Sequence, residues 1–240
     1  MASLSPFACS TLPPMPMNSA QRARDGSQPV RLNLGSGPRA TSGWVCIDVS
    51  PNVFLSKFPA VKRVMRRAGL LGESHMTEWD PEIQRHDIRK LPYSDGSVDA
   101  VYSSHTLEHV YIDEARQVLR EVSRVLKPGG LVRLALPDAE QLARAFIARV
   151  DDLDADAGWD FNDALLAHPR SPPSGLHRLL SRAGGHTHRW QPTPAMVTRM
   201  LEEAGFSDVR RYEYQKGTFP DLSGIETKPD SFFLEALLTP

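Results

Sequence analysis

The feature that most restricts this chain is the run Leu32-Asn33-Leu34-Gly35-Ser36-Gly37-Pro38, in which a short apolar strand stops on two glycines one residue apart. Glycine lets the backbone turn sharply after a strand and approach a ligand with no Cβ in the way. Val45-Cys46-Ile47-Asp48 reads as a second strand, ending on an acid. Further strands are expected at 83–87, 98–103 and 131–136. Before the last of these, Ile112, Ala115, Val118, Leu119, Val122 and Leu126 recur at helical spacing until Pro128-Gly129-Gly130. Asp138 is placed to cap a helix running to about Val150. Thr193-Pro194 opens another helix, closed by Gly205, and 209–214 with 232–237 reads as a closing pair of strands. Strands alternating with helices predict an α/β fold: a Rossmann-like, doubly wound, mostly parallel sheet with ligands at the carboxyl ends of its strands.

The 240 residues are 40% hydrophobic and 24% charged, enough apolar material for one core. Residues 1–29, rich in Pro, Ser and Met, are expected to form a flexible leader, with a single domain over 30–240. Segment 151–192 fits the alternation poorly, carrying Asp151-Asp152, Pro172-Pro173 and Gly184-Gly185, and is expected to be a substrate-side insertion. A net charge of −1 supplies no basic field for nucleic acid, so no nucleic-acid partner is expected. The two cysteines, Cys9 and Cys46, lack metal or redox spacing, and no secretory signal or membrane-length apolar run is present. A cytoplasmic location is the expectation.

Gly35-x-Gly37-x-x-Ala40 also matches a dinucleotide fingerprint. That pattern expects a full helix after the turn and an acid about 20 residues on to hold the ribose. Here Pro38-Arg39-Ala40-Thr41-Ser42-Gly43 is too short and broken for the helix, and Asp48 comes much sooner. Without a long helix amino terminus to receive a pyrophosphate, a nucleoside lacking phosphates fits better.

Five blocks carry a resemblance: Leu32 to Pro38 with Asp48; His86-Asp87-Ile88; Leu91 to Asp99; Leu107-Glu108-His109; and Val125 to Gly130. Together they resemble class I S-adenosylmethionine-dependent methyltransferases of the type 11-like kind, over roughly residues 30 to 138. The family more often has an acid where this chain has Asn33 and a third glycine where it has Arg39. The resemblance implies seven strands with the last antiparallel, and S-adenosyl-L-methionine as cofactor. It would put Gly35, Ser36 and Gly37 beneath the methionine and ribose, and Asp48 on the two ribose hydroxyls. Asp87 would accept from the adenine amino group, Val49 and the Ile88 backbone would border the ring, and Ser104 would face the methionine end.

Methyl transfer from a sulfonium chiefly needs alignment and exclusion of water, and an oxygen nucleophile usually also needs a base. Histidine suits that task near neutrality. His105, directly after the fourth strand and four residues before His109, is the first choice; His186 and His188 in the Gly-His-Thr-His loop are further candidates, and His109 itself is expected to pack. Asp138 could orient a substrate hydroxyl, although capping is the stronger reading. His105, Glu108 and His109 with His186 or His188 also offer oxygen and nitrogen donors for a divalent ion, but without second-sphere signals in the sequence a metal-free site is expected.

Ser-Ser-His-x-Leu-Glu-His, Leu-Pro-Asp, Gly-His-x-His and a terminal Pro-Asp-Ser-x-x-x-Glu-Ala resemble a branch associated with bacterial surface-polysaccharide pathways. That resemblance implies O-methylation of a sugar or glycan acceptor. Methylation of a small natural product, and a non-catalytic cofactor-binding protein, stay open beside it. Segment 53–72 reads as one basic amphipathic helix, a lid packed over the cofactor with its basic face in water; peripheral membrane contact is the alternative.

Overall fold

The computed structural model describes residues 29–68, 77–165 and 187–239. Among these, seven strands form one sheet: β1 (Arg31–Leu34), β2 (Val45–Asp48), β3 (Gln84–Arg85), β4 (Val98–Ser104), β5 (Leu126–Leu136), β6 (Phe206–Tyr212) and β7 (Phe232–Leu238), in the order β3-β2-β1-β4-β5-β7-β6. Every pairing from β3 to β5 is parallel, and β7 runs antiparallel to both β5 and β6. The expected Rossmann-like sheet with an antiparallel last strand is the observed one, and its order reverses beside β1 and β4, where such sheets hold ligands.

Strand alternation separates two apolar layers. Leu32, Leu34, Val101, Val132, Leu134 and Phe232 meet one layer, while Cys46, Ala100, Tyr102, Ala135 and Phe233 meet the other. The first layer is covered by two helices, Ile112–Val125 and Pro194–Glu203. The former buries Ala115, Val118, Leu119, Val122 and Val125, each such side chain contributing about 1.5–3 kcal/mol, less for alanine. Thr193 caps the latter as expected, its hydroxyl accepting from the Met196 N–H.

Three expectations need correction. The fifth strand begins at Leu126, not 131: Leu126 pairs with Val98, and the Pro128-Gly129-Gly130 break is absorbed as an irregularity between Val98 and Ala100. The third strand shrinks to Gln84–Arg85. Segment 53–72 is not one helix but two, α1 (Pro51–Ser56) and α2 (Pro59–Arg67), because Pro59 lacks the N–H to continue a helix and instead starts one. Nor does α2 pack as a lid, since it buries no residue and Val61 and Val64 are exposed, as are Phe54 and Phe58 before it. Among the described residues of 151–192, Ala157–Ala164 forms a helix. The leader expected at 1–29 lies outside the described residues except for Pro29, as do 69–72. No helix among the described residues is long and apolar enough to cross a membrane.

Candidate active site

Gly35 turns at φ +69°, and a Cβ there would lie 1.9 Å from Thr106 Oγ1. The residue must therefore be glycine both for its dihedral and for its neighbour. Thr106 in turn donates its hydroxyl to the carbonyls of Ser104 (3.0 Å) and Leu34 (3.3 Å), tying the end of β4 to the turn. Gly37, at φ +67°, has nothing within 4 Å of its would-be Cβ, so the turn opens onto free space there. The N–H groups of Gly35 and Ser36 donate to the Ile47 carbonyl (2.8 and 3.3 Å), which fixes the turn against the end of β2.

Asp48 closes β2 and accepts one backbone N–H on each oxygen, Gly37 at 3.1 Å and Ser50 at 2.8 Å. A carboxylate has about four acceptor directions, so half remain for a ligand. Val49 beside it is 58% exposed, an apolar side chain facing solvent next to an acid. Ile88 is buried. Asp87 is held by Arg89, whose Nε and Nη2 engage both oxygens at 2.8–3.2 Å while its N–H caps Oδ1. These hydrogen bonds keep the Asp87 carboxyl below the usual carboxylate range. Sequence reasoning expected Asp87 to be a free acceptor and did not foresee this clamp.

The carboxyl end of β4 carries the chemically richest cluster. His105 sits in the left-handed region (φ 47°), its N–H bonded to Ala135 O at 2.9 Å. Non-glycine residues held there tend to mark functional positions. Its ring spans two partners: Nε2 lies 2.8 Å from Ser231 Oγ, and Nδ1 lies 3.3 Å from Glu108 Oε1. Leu107–His109 form a 3₁₀ turn, in which residues three apart eclipse. Glu108, in the middle of this turn, faces back to His105, which stands just before it.

Glu108 is fully buried, and neither of its oxygens makes a hydrogen bond. His188 approaches it, Nε2 to Oε1 4.0 Å, with its side chain 5% exposed, and burial pushes the His188 pKa below its ordinary value. His109 packs edge-on against His188 at 5.1 Å between ring centroids and places Nδ1 3.3 Å from Thr187 O. The strip 187–190 is fastened to the 3₁₀ turn by Arg189 N–H to Glu108 O (2.7 Å) and by Trp190 Nε1 to Leu107 O (2.9 Å). Of the histidine pair in the Gly-His-Thr-His loop, His188 thus joins the cluster and His186 lies outside the described residues.

Asp138 is a cap. It accepts from the N–H groups of Glu140 and Gln141 at the start of the helix Ala139–Asp151 and from Arg211 Nη2 at 2.8 Å, leaving its side chain 5% exposed. Its bonds to the helix and Arg211 correct the alternative in which it orients a substrate. Two participants escaped assignment from sequence. Ser231 lies in the Pro229-Asp230-Ser231 block without an evident role, and Thr106 looks like any loop hydroxyl.

Residues 44–134, from just before β2 into β5, match the family described as "Methyltransferase domain". Over that stretch the chain is similar to methyltransferase domains. The chain is 33% identical over 128 residues to an uncharacterized 37.1 kDa protein from a Streptomyces fradiae transposon, covering 52% of this chain and 34% of that protein. It is 27% identical over 142 residues to the ubiquinone/menaquinone biosynthesis C-methyltransferase of Desulfotalea psychrophila, covering 58% of this chain and 52% of that enzyme. The chain thus spans about a third and about half of those relatives. Among solved structures, an S-adenosylmethionine-dependent methyltransferase from Archaeoglobus fulgidus is similar, at 14% identity and a TM-score of 0.46, covering 91% of this chain and 92% of that one.

Proposed function

We propose that the protein transfers a methyl group from S-adenosylmethionine to a hydroxyl oxygen, with His105 as the base and a sugar or glycan as the acceptor. The observation that carries this reading is the His105–Glu108 pair at the end of β4, beside the Gly35 turn. A base must reach a proton and must itself be oriented. Glu108, buried and acceptor-only when ionised, favours a proton on Nδ1 of His105 and leaves Nε2 as the acceptor. Ser231 Oγ occupies that Nε2 position, as an acceptor hydroxyl would.

The turn fits the donor: Gly37 leaves open room, Asp48 retains acceptor capacity for a vicinal diol, and Val49 and Ile88 supply apolar borders. When bound, the donor supplies an activated methyl group. The chain's part is to hold the acceptor, exclude water and receive the hydroxyl proton at His105 Nε2. The sugar or glycan assignment rests on the sequence blocks described above, of which Pro229-Asp230-Ser231 now lies beside His105.

Calorimetry and transfer of labelled methyl across a panel of glycans and small phenols test this. Asp48→Ala is expected to abolish detectable cofactor binding. His105→Ala is expected to spare binding and lower transfer by about 10²–10⁴-fold. Normal cofactor affinity in Asp48→Ala overturns the binding assignment, and unchanged transfer in His105→Ala overturns the base.

A further inference from the structure

We propose that Glu108, His109 and His188 form a binding site for a divalent transition-metal ion of the zinc class. One ligand atom from each lies within 4.8 Å of the other two. Three ligands held at about 2.0–2.2 Å from one tetrahedral ion stand roughly 3.3–3.6 Å apart, so the side chains need to close by up to about 1–1.5 Å, a shift that small side-chain rotations supply.

The independent observation is what these groups lack. Both Glu108 oxygens and His188 Nδ1 are buried with no hydrogen-bond partner. A buried carboxylate with no hydrogen bond, faced only by His105 Nδ1 at 3.3 Å and His188 Nε2 at 4.0 Å, is costly to a protein, and such groups are retained where a charge or metal completes them. A cation among Glu108, His109 and His188 completes the carboxylate.

The donor set points to the kind of ion. Two imidazole nitrogens and one carboxylate suit zinc, iron or cobalt and suit the all-oxygen preference of calcium or magnesium poorly. His109 also has its outer contact in place: Nδ1 at Thr187 O leaves Nε2 for the ion, the arrangement in which a ligating histidine donates its other N–H to a backbone carbonyl. Three protein ligands leave at least one position open. Metal binding here does not depend on the methyl-transfer reading and is read without it.

Chelator-treated full-length protein is titrated with Zn²⁺ by calorimetry and with Co²⁺ by visible absorption. One equivalent of each is expected to bind, with Co²⁺ developing ligand-field bands of a low-coordinate nitrogen–oxygen site. His109→Ala and His188→Ala are expected to weaken Zn²⁺ binding by at least about 100-fold, since outer-sphere losses alone reach that range. His86→Ala, outside the cluster, is expected to bind as wild type. Glu108→Gln, which preserves shape, is expected to lose the Co²⁺ bands. Melting curves and S-adenosylmethionine affinity confirm that each variant is folded. Absence of stoichiometric Zn²⁺ and Co²⁺ binding in the wild type overturns the site, as does binding that survives both His109→Ala and His188→Ala; the buried carboxylate is then balanced by a proton on the neighbouring histidines.

Discussion

Replacing Gly35 with alanine introduces two separable costs. The left-handed backbone at φ +69° costs an L-residue about 1–2 kcal/mol. The new methyl falls 1.9 Å from Thr106 Oγ1, 2.6 Å from its Cγ2 and 2.8 Å from its Cβ, and overpacking of this kind costs about 1–3 kcal/mol. The sum, about 2–5 kcal/mol, corresponds to a fall in Tm of roughly 5–15 °C for a domain of this size. Thr106→Ala on its own loses hydroxyl bonds worth about 0.5–1.5 kcal/mol. In the Gly35→Ala background it also removes the two shortest contacts, leaving only the one at 2.8 Å. The double variant is therefore expected to be more stable than the sum of the single effects predicts, by about 1–2 kcal/mol. Denaturant unfolding of the four proteins measures this coupling. Gly37→Ala is the contrast, since its Cβ meets nothing and only the dihedral cost applies, so any loss of cofactor affinity beyond that reports on the ligand. A Gly35→Ala protein within about 0.5 kcal/mol of wild type, or strictly additive single effects, refutes the geometry assigned to this turn.

Two further outcomes are expected. Arg133→Met strands the buried carboxylates of Glu226 and Glu235, which the guanidinium engages, and should cost about 3–5 kcal/mol in urea unfolding; a cost below about 1 kcal/mol contradicts the pairing. Cys46 is buried and its thiol pKa is pushed up, chiefly by desolvation. Because the unfolded thiol ionises first, its contribution to stability is full below the ordinary cysteine range and declines as pH rises through it. Peptide mass spectrometry should find Cys46 unmodified by iodoacetamide at mildly alkaline pH until denaturant is added, and rapid labelling of the native protein would disprove this.

Much of the architecture is visible in local signals. Gly35, the apolar spacing of Ala115, Val118, Leu119 and Val122, and the caps at Asp138 and Thr193 each express a short-range preference that the fold satisfies. What is not visible depends on distance. Lys127 to Gly130 carries a proline and two glycines, yet the pairing of Leu126 and Leu131 with β4 on either side keeps it within a strand. Pro59 splits a helix that apolar spacing alone joins. In the site, Asp48 is legible because it ends its strand. Glu108 is not, because its approach to His105 depends on a 3₁₀ turn and its approach to His188 on a segment 80 residues later. Arg133 reads as the polar face of a strand, whereas it is fully buried and bonded to acids 93 and 102 positions away.

That last network has a bearing on synthesis. Glu235 lies directly across from Arg133 in the β5–β7 pairing and also receives the N–H groups of Thr218 and Phe219, while Gly217 leaves room for its carboxylate. A ribosome making this chain produces β5 about a hundred residues before the strand that pairs with its open edge and the acid that neutralises its arginine. Until residues 232–238 emerge, the growing polypeptide shows an unpaired, largely apolar strand edge with a cation that has no partner across it, the kind of surface that chaperones cover. Of the seven described strands the last in sequence is inserted into the interior of the sheet rather than added at its margin, so the sheet closes only after β7 is made, not during the passage of the earlier strands.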